Sequence, residues 1–310
     1  MNNKIIVIVG PTAVGKTYVS VELAKKFNTE ILSADSMQIY KEMDIGTAKV
    51  TEDEKQGVKH HMIDIINPDE TFSVSDFKSM SENIIDNILL ENKIPIIVGG
   101  SGLYVNSLIY DLDFGNAKSD AKIRDYYNSL YNEHGEDYLY EMLKKVDPES
   151  AEKIHKNNVK RVMRALEVYK ITGEKFSELN TDIRKHSKKY DCILVGLNMD
   201  RKILYDRINR RVEKMISDGL VDEVRTLMNK GYDKNLVSMQ GIGYKEIIEY
   251  IDGKINLEDA VNILKRNTRR FAKRQFTWFL KDSNVKWFEI STPKEIDLVI
   301  EDIYNFILNK

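Results

Sequence analysis

The chain has 310 residues, of which 42% are hydrophobic and 31% charged, with a formal net charge of −2. This composition excludes a disordered or collagen-like chain, and the length corresponds to about two domains. Cys192 stands alone, which excludes an intrachain disulfide and a multi-cysteine zinc site; it is expected as a small buried hydrophobe. The apolar run Ile5 to Val9 is far shorter than the ~20 residues that span a bilayer. It is also too short for the apolar region of a signal peptide. A cytoplasmic protein without a membrane partner is expected. No heptad seam calls for a dimer, so a monomer is expected as well.

In chain order, residues 4–9 (KIIVIV) predict a buried strand that stops at Gly10. An amphipathic helix follows over 17–27, with Val21, Leu23, Ala24 and Phe27 on its apolar side. Residues 30–34 predict a second strand, and His61 to Ile66 another short one. Residues 74–92 carry helical spacing (Val74, Phe77, Met80, Ile84, Ile88), and IPIIV at 94–98 is a buried strand ended by Gly99 and Gly100. Alternation of strand and helix predicts a parallel sheet with helices on its faces. From about residue 114 to 190 the texture changes to a charged, tyrosine-rich helical pattern: Ile123 to Tyr131, Tyr138 to Val146, Val159 to Ile171. DCILVGL at 191–197 reads as one more buried strand. Helices are predicted at about 201–230, 244–251 and 257–281, then a short strand around Trp287 and Phe288 and a closing helix over 296–308. The expected organisation is an α/β core of residues 1–114 and 191–310, interrupted by a helical insertion over 115–190.

The segment Gly10-Pro11-Thr12-Ala13-Val14-Gly15-Lys16-Thr17 matches G-x-x-x-x-G-K-[ST], between a predicted strand and a predicted helix. Backbone amides of such a loop and the helix N-terminus converge on an anion. Lys16 adds a full charge, and the Thr17 hydroxyl can ligate Mg²⁺. The pattern specifies a polyphosphate without saying which one. An acidic residue closing a neighbouring strand would complete an ordinary nucleotide-hydrolysing site. After IPIIV, however, stands Gly99-Gly100-Ser101-Gly102, whose glycines are read as allowing close approach of a ligand. The first acid after a strand is Asp35, in Ser33-Ala34-Asp35-Ser36-Met37-Gln38. Strand C-termini meet at the ligand crevice of such sheets. Asp35 is therefore a metal ligand, a general base, or a helix cap without chemistry. A kinase acting on a small molecule explains residues 1–40 as well as any other reading. The histidines offer no metal site: His60 and His61 are adjacent, and no H-E-x-x-H occurs.

Lys265, Arg266, Arg269, Arg270, Lys273 and Arg274 fall within ten residues. On a helix they cover one half, opposite Leu264, Thr268, Phe271, Gln275, Trp278 and Phe279. With no acid between Lys265 and Lys273, this arc repels itself and points to a phosphate backbone. Two further basic clusters are Lys156, Lys160, Arg161 and Arg164 in the insertion, and Arg207, Arg210 and Arg211.

Taken together, GPTAVGKT (10–17), ADSMQIYKEMDIGTAK (34–49), HHMIDI (60–65), FSVSDF (72–77), IPIIVGGSGLY (94–104), RVMRALEVY (161–169), GIGYKE (241–246) and TRRFAKRQFTW (268–278) resemble the tRNA dimethylallyltransferase (tRNA isopentenyltransferase) family. The resemblance covers nearly the whole chain. It implies a P-loop NTPase-like parallel-sheet core with an inserted all-helical tRNA-binding domain. It implies transfer of a dimethylallyl group from its diphosphate to the exocyclic N6 amine of the adenine just 3′ of a tRNA anticodon, with Mg²⁺. The loop's anion is then the diphosphate, although family members are often described as nucleotide- or ATP-binding. Asp35 corresponds to the family's catalytic aspartate. Lys16, Thr17 and Arg211, the last in an R-x-x-x-R-x-x-x-M spacing with Arg207 and Met215, stabilise the leaving diphosphate, with Thr17 on the metal. Ser36, Met37 and Gln38 line the base pocket. Ser101 stands where the family usually has Thr and is expected to keep a tRNA contact. Arg124, in Ser119-Asp120-x-x-x-Arg124, corresponds to another tRNA contact. Lys160, Arg161, Arg164, Arg269, Arg270, Lys273 and Arg274 are expected to hold phosphates of the anticodon stem-loop.

Overall fold

The computed structural model describes residues 3–110, 112, 120–179, 187, 189–292 and 295–310. The chain divides into two compact units, Met1–Ile109 with Lys188–Lys310, and Tyr110–Ser187. The expected boundary between residues 114 and 115 lies outside the described residues, as does Ser119.

The first unit is built on β1 (Lys4–Val9), β2 (Ile31–Ser33), β3 (His60–His61), β4 (Ile96–Gly99), β5 (Asp191–Asn198) and β6 (Lys286–Glu289). Among the described residues these strands form one sheet in the order β3-β2-β4-β1-β5-β6, with every pairing parallel. Strand β1 sits inside it, with Ile6 opposite both Ile96 and Ile193. Its residues Ile5 to Ile8 are wholly buried. A strand covered on both faces has no polar side to alternate with, hence the unbroken apolar run. Helices α1 (Lys16–Phe27), α2 (Glu52–Lys55), α3 (Val74–Leu90) and α4 (Gly102–Ile109) precede the second unit in the chain. A core of Ile6, Ile8, Val19, Leu23, Val195 and Ile303 joins the sheet to its helices. Among the described residues no helix is long and apolar enough to cross a membrane.

Two local expectations change. The strand predicted from His61 to Ile66 is reduced to His60–His61 and an isolated Tyr40–Ile66 bridge. Met62 and Asp64 take left-handed conformations, φ 63° and 56°, which no extended strand accommodates. Helix α4 has no counterpart in the sequence reading. Residues Tyr104 to Ile109 are all buried, so no polar face marked it as amphipathic.

The second unit comprises α5 (Ala121–Val146), α6 (Pro148–Lys153), α7 (Val159–Thr172) and α8 (Phe176–Leu179). Helix α5 is broken at Gly135, φ 80° and ψ −177°. Its core gathers Tyr127, Leu139, Leu143, Ile154, Val162 and Leu166. Two buried carboxylates tie it together. Asp147 accepts from the Ser150 amide at 3.0 Å, the Ser177 amide at 2.9 Å and the Ser177 hydroxyl at 2.7 Å. Glu167, 1% exposed, accepts from the Asp120 amide at 2.9 Å, Arg124 Nε at 3.0 Å and Arg164 at 2.7 Å. Burial works against the Glu167 charge, but Arg164, the Asp120 amide and Arg124 hold its carboxyl below the usual range.

The first unit then resumes with β5, α9 (Arg201–Ser217), α10 (Leu220–Asn229), α11 (Tyr244–Ile251), α12 (Leu257–Leu280), β6 and α13 (Ile296–Leu308). The helical stretch expected over 201–230 breaks at Gly219, φ 102°. Helices α9 to α12 and the segment after β2 enclose a further core of Ile39, Met43, Val212, Leu227, Tyr244 and Leu264.

Candidate active site and nucleic-acid interface

Strand β1 runs into the anion loop at Gly10, φ 148°, where a Cβ would lie 2.6 Å from the Leu197 carbonyl oxygen of β5. Only glycine passes this point. Ala13 (φ 66°) and Gly15 (φ 114°) turn the chain into α1, which begins with Lys16 and Thr17. Lys16 Nζ donates to the Gly10 and Pro11 carbonyls, both at 2.9 Å. Desolvation lowers the Lys16 pKa to about 8; the Asp35 charge opposes this shift and Arg211 adds to it. From α9, Arg207 Nε donates to the Ala13 carbonyl at 2.9 Å and Arg211 to the Thr12 hydroxyl at 3.3 Å. A cavity of about 240 Å³ beside the loop is lined by Ala13, Arg207, Arg210 and Arg211. Arg210, exposed, also pairs with Asp206. Arg211 thus touches the loop expected to cradle an anion.

Asp35 follows β2 directly. Its Oδ1 accepts the Met37 amide at 2.9 Å and closes a turn; residues 36–39 are turn and not helix, so the expected alternative of a helix cap does not apply. An edge of the residue faces solvent, yet desolvation pushes its carboxyl up. The Met37 amide, the Lys16 ammonium and the Gln38 amide pull the other way. A carboxylate that feels the Lys16 charge lies beside the anion cradle, and a raised pKa makes it a stronger base. Ser101 accepts the Ser36 amide at 2.9 Å, and the two hydroxyls meet at 3.2 Å. Gln38 is committed at both ends: Ser33 donates to its Oε1 at 3.0 Å and its Nε2 donates to the Ala48 carbonyl at 3.3 Å. Met37 packs on Gly241, where a Cβ would come within 2.4 Å of its Cε. The loop bearing Asp35 is therefore held by Ser101, a support that residue spacing did not reveal.

Gly99-Gly100-Ser101-Gly102 has a different reason for its glycines from the one expected. A Cβ would strike the Ala34 carbonyl oxygen at 2.2 Å from Gly99, Gln275 Nε2 at 2.0 Å from Gly100, and Trp278 Nε1 at 2.3 Å from Gly102. The close approach is by the protein's own groups. Gln275, 5% exposed on α12, lies on the half opposite the cations, as its spacing predicts. It accepts the Thr12 amide at 2.8 Å and donates to the Gly100 carbonyl at 3.1 Å. Trp278, read on the same half, is 45% exposed.

The basic arc of α12 is less uniform than its sequence. Lys265 pairs with Glu213 of α9 at 2.6 Å. Arg269 donates to Asn209 at 2.6 Å and lies 6.0 Å from the Tyr205 ring. Arg270, Lys273 and Arg274 are exposed and line a cavity of about 500 Å³ with Thr277, Trp278 and Lys281. Arg266 is exposed as well, so the exposed cations of the arc are Arg266, Arg270, Lys273 and Arg274. In the second unit Arg124 and Arg164 share Glu167, Lys156 pairs with Asp137 at 2.7 Å, and Lys160 and Arg161 are exposed. Cys192 is half-buried and its thiol is pushed up to about 12, mainly by desolvation, which makes it inert.

A parallel sheet whose interior strand opens through GPTAVGKT into a helix, with an aspartate after β2 and a lysine feeling its charge, defines a P-loop α/β protein of the phosphate-transfer or phosphate-displacing kind. A family model described as IPP transferase matches residues 38–282, and the chain belongs to that family. It is 53% identical over 303 residues to a tRNA dimethylallyltransferase of Alkaliphilus oremlandii, covering 98% of this chain and 96% of that relative. Among solved structures, the full-length tRNA isopentenylpyrophosphate transferase of Bacillus halodurans is 45% identical with a TM-score of 0.75, over 99% of this chain and 96% of that one. A eukaryotic dimethylallyltransferase acting on tRNA is 31% identical with a TM-score of 0.83, over 100% of this chain and 80% of that one.

Proposed function

We propose that this protein transfers a dimethylallyl group from dimethylallyl diphosphate to the exocyclic N6 amine of the adenine 3′-adjacent to the anticodon of tRNA, releasing diphosphate. The observation that supports the reading best is the anion loop with Lys16 folded over it and Asp35 just beyond strand β2, close enough for each charge to act on the other, in a chain of this family. The adenine amine is a weak nucleophile because its lone pair is delocalised into the ring. It attacks the allylic C1 as Asp35 takes one of its protons. The C1–O bond breaks, and the electron pair leaves on diphosphate. Loop amides, Lys16 and Arg211 stabilise that charge where it develops. The target base leaves its stack to reach the crevice, where Ser36, Met37 and Gln38 flank it, Gln38 with its amide orientation already set.

Mg²⁺ fits the donor: the Thr17 hydroxyl is a hard oxygen ligand, and diphosphate oxygens and water would supply the rest. Among the described residues no group of three or more His, Cys, Asp or Glu side chains gathers into an all-protein site. When bound, the ion adds further charge stabilisation to the leaving group.

Arg270, Lys273, Arg274, Lys160 and Arg161 hold tRNA phosphates, with Arg124, Arg164 and Arg269 contributing from pinned positions and Ser101 from the base-pocket rim. The helical unit is the tRNA-gripping insertion. The protein acts as a cytoplasmic monomer. The test is incubation with labelled dimethylallyl diphosphate and unmodified tRNA, in parallel with labelled ATP and candidate small molecules. Label from the prenyl donor should enter tRNA. Label passing only from ATP into a small molecule would establish a kinase instead.

A further inference from the structure

Gln275 stands between the two halves of this crevice. Its carboxamide is oriented without ambiguity, because the Thr12 amide only donates and the Gly100 carbonyl only accepts. The Thr12 hydroxyl, on the same residue, takes the Arg211 guanidinium. One residue beyond Gly100, Ser101 holds the loop of Asp35 through Ser36. Gly100 cannot carry a side chain without displacing Gln275. The side chain is buried on α12, among the exposed cations of the same helix.

We propose that Gln275 is a positioning residue for the diphosphate site: it clasps the anion loop at Thr12 to the turn at Gly100, and so fixes the cradle relative to the loop bearing Asp35. The Thr12 amide is thereby spent on the clasp, and the anion is held by the later amides of the loop with Lys16 and Arg211. In catalysis the clasp sets the separation between departing diphosphate and receiving carboxylate; this part rests on the proposed function. The rival role for Gln275 is a direct contact to tRNA.

The test uses the full-length protein with two substitutions. Gln275→Met keeps length and volume but neither hydrogen bond. Gln275→Glu keeps the acceptor for Thr12 and sets a carboxylate against the Gly100 carbonyl. Calorimetry with inorganic pyrophosphate should show binding weakened by about tenfold, within the worth of the one or two hydrogen bonds lost. With tRNA and dimethylallyl diphosphate, kcat should fall by about 10²-fold, the cost of a small misplacement, while tRNA affinity stays unchanged. Unchanged pyrophosphate affinity and kcat would overturn the proposal, and so would loss of tRNA affinity alone. If the variants do not fold, the wild type decides. Its Thr12 amide should resist hydrogen exchange both before and after pyrophosphate is added, and protection arising only on addition would place that amide in the cradle and refute the clasp. A wild type that binds pyrophosphate but does not prenylate tRNA would refute the proposed function while leaving the clasp tested.

Discussion

The charges of Asp35 and Lys16 act on each other's proton affinity, second in each case to desolvation or a backbone hydrogen bond. Replacing Asp35 by Asn removes the base but keeps the turn's shape. Single-turnover assays should show prenyl transfer slowed by about 10²–10⁴-fold, with tRNA affinity unchanged, because the lost interaction belongs to the transition state. An equal loss of binding would make Asp35 structural. Lys16 has its pKa lowered to about 8 in the free protein, and a bound diphosphate raises it again. Below pH 8 the ammonium is already formed and binding takes up no proton. Above it, binding must first recruit a proton, so affinity falls as pH rises. The KM for dimethylallyl diphosphate should therefore be flat below about 8 and climb above it, and Lys16→Ala should abolish the climb. At this scale the sequence was informative wherever a residue carries its own chemistry. Asp35, Lys16, Thr17 and Arg211 could be picked from spacing and resemblance. Gln275 and Glu167 could not, since their roles lie in partners 263 and 43 residues away, and nothing local marks a glutamine in an apolar stripe as a clasp.

Among elements, α12 does two jobs with two faces. Its inner stripe of Leu264, Ala272, Gln275 and Phe279 is buried, and Arg266, Arg270, Lys273 and Arg274 remain in water. Titrating tRNA affinity against salt should give a slope that becomes shallower by about 0.7–0.9 for each of Arg270, Lys273 and Arg274 changed to Ala. Arg269→Ala should change the slope less, because its guanidinium is already engaged by Asn209 and Tyr205. The glycine turn after β4 supplies a stability prediction. Gly99→Ala sets a methyl against the backbone of Ala34, an overpacking that costs about 1–3 kcal/mol. Thermal or denaturant unfolding measures it, and wild-type stability would show that the turn yields. Element type was legible wherever apolar periodicity was strong, as in β1, α1, α7 and α12. It failed at α4, which is buried from Tyr104 onward, and at the second half of the His61–Ile66 strand, where two left-handed residues decide the backbone. The partners of the basic arc were out of sight for another reason. One acid that offsets it, Glu213 beside Lys265, sits on α9, as does the neutral Asn209 that takes Arg269, so counting acids within α12 overstates the unpaired charge by one.

At the scale of the whole molecule, a net charge of −2 coexists with basic surfaces, and local potential governs association with a polyanion. The helical unit has its own small core, pinned by Asp147 and Glu167. Glu167→Ala leaves Arg124 and Arg164 without their shared acceptor. Both guanidiniums reach solvent, at 53% and 30% exposure, so the expected loss is about 1–3 kcal/mol rather than the larger cost of a stranded buried charge. Unfolding of the full chain, followed by probes in this unit, should detect it. No change would mean that water replaces Glu167 without loss. The parallel core could be read from strand–helix alternation, because topology follows from buried strands and crossovers. Where the second unit's chain paths run could not be, since a charged, tyrosine-rich helical texture fixes periodicity but not partners.

The most direct measurement is mass spectrometry of the anticodon loop after reaction of unmodified tRNA with dimethylallyl diphosphate, for the wild type and for Asp35→Asn. The wild type should place one dimethylallyl unit on the adenine 3′ of the anticodon, with one diphosphate released per modified base, and the variant should bind tRNA yet leave that adenine bare. An adenine modified at the wild-type rate by the variant, or left unmodified by the wild type, would contradict the account.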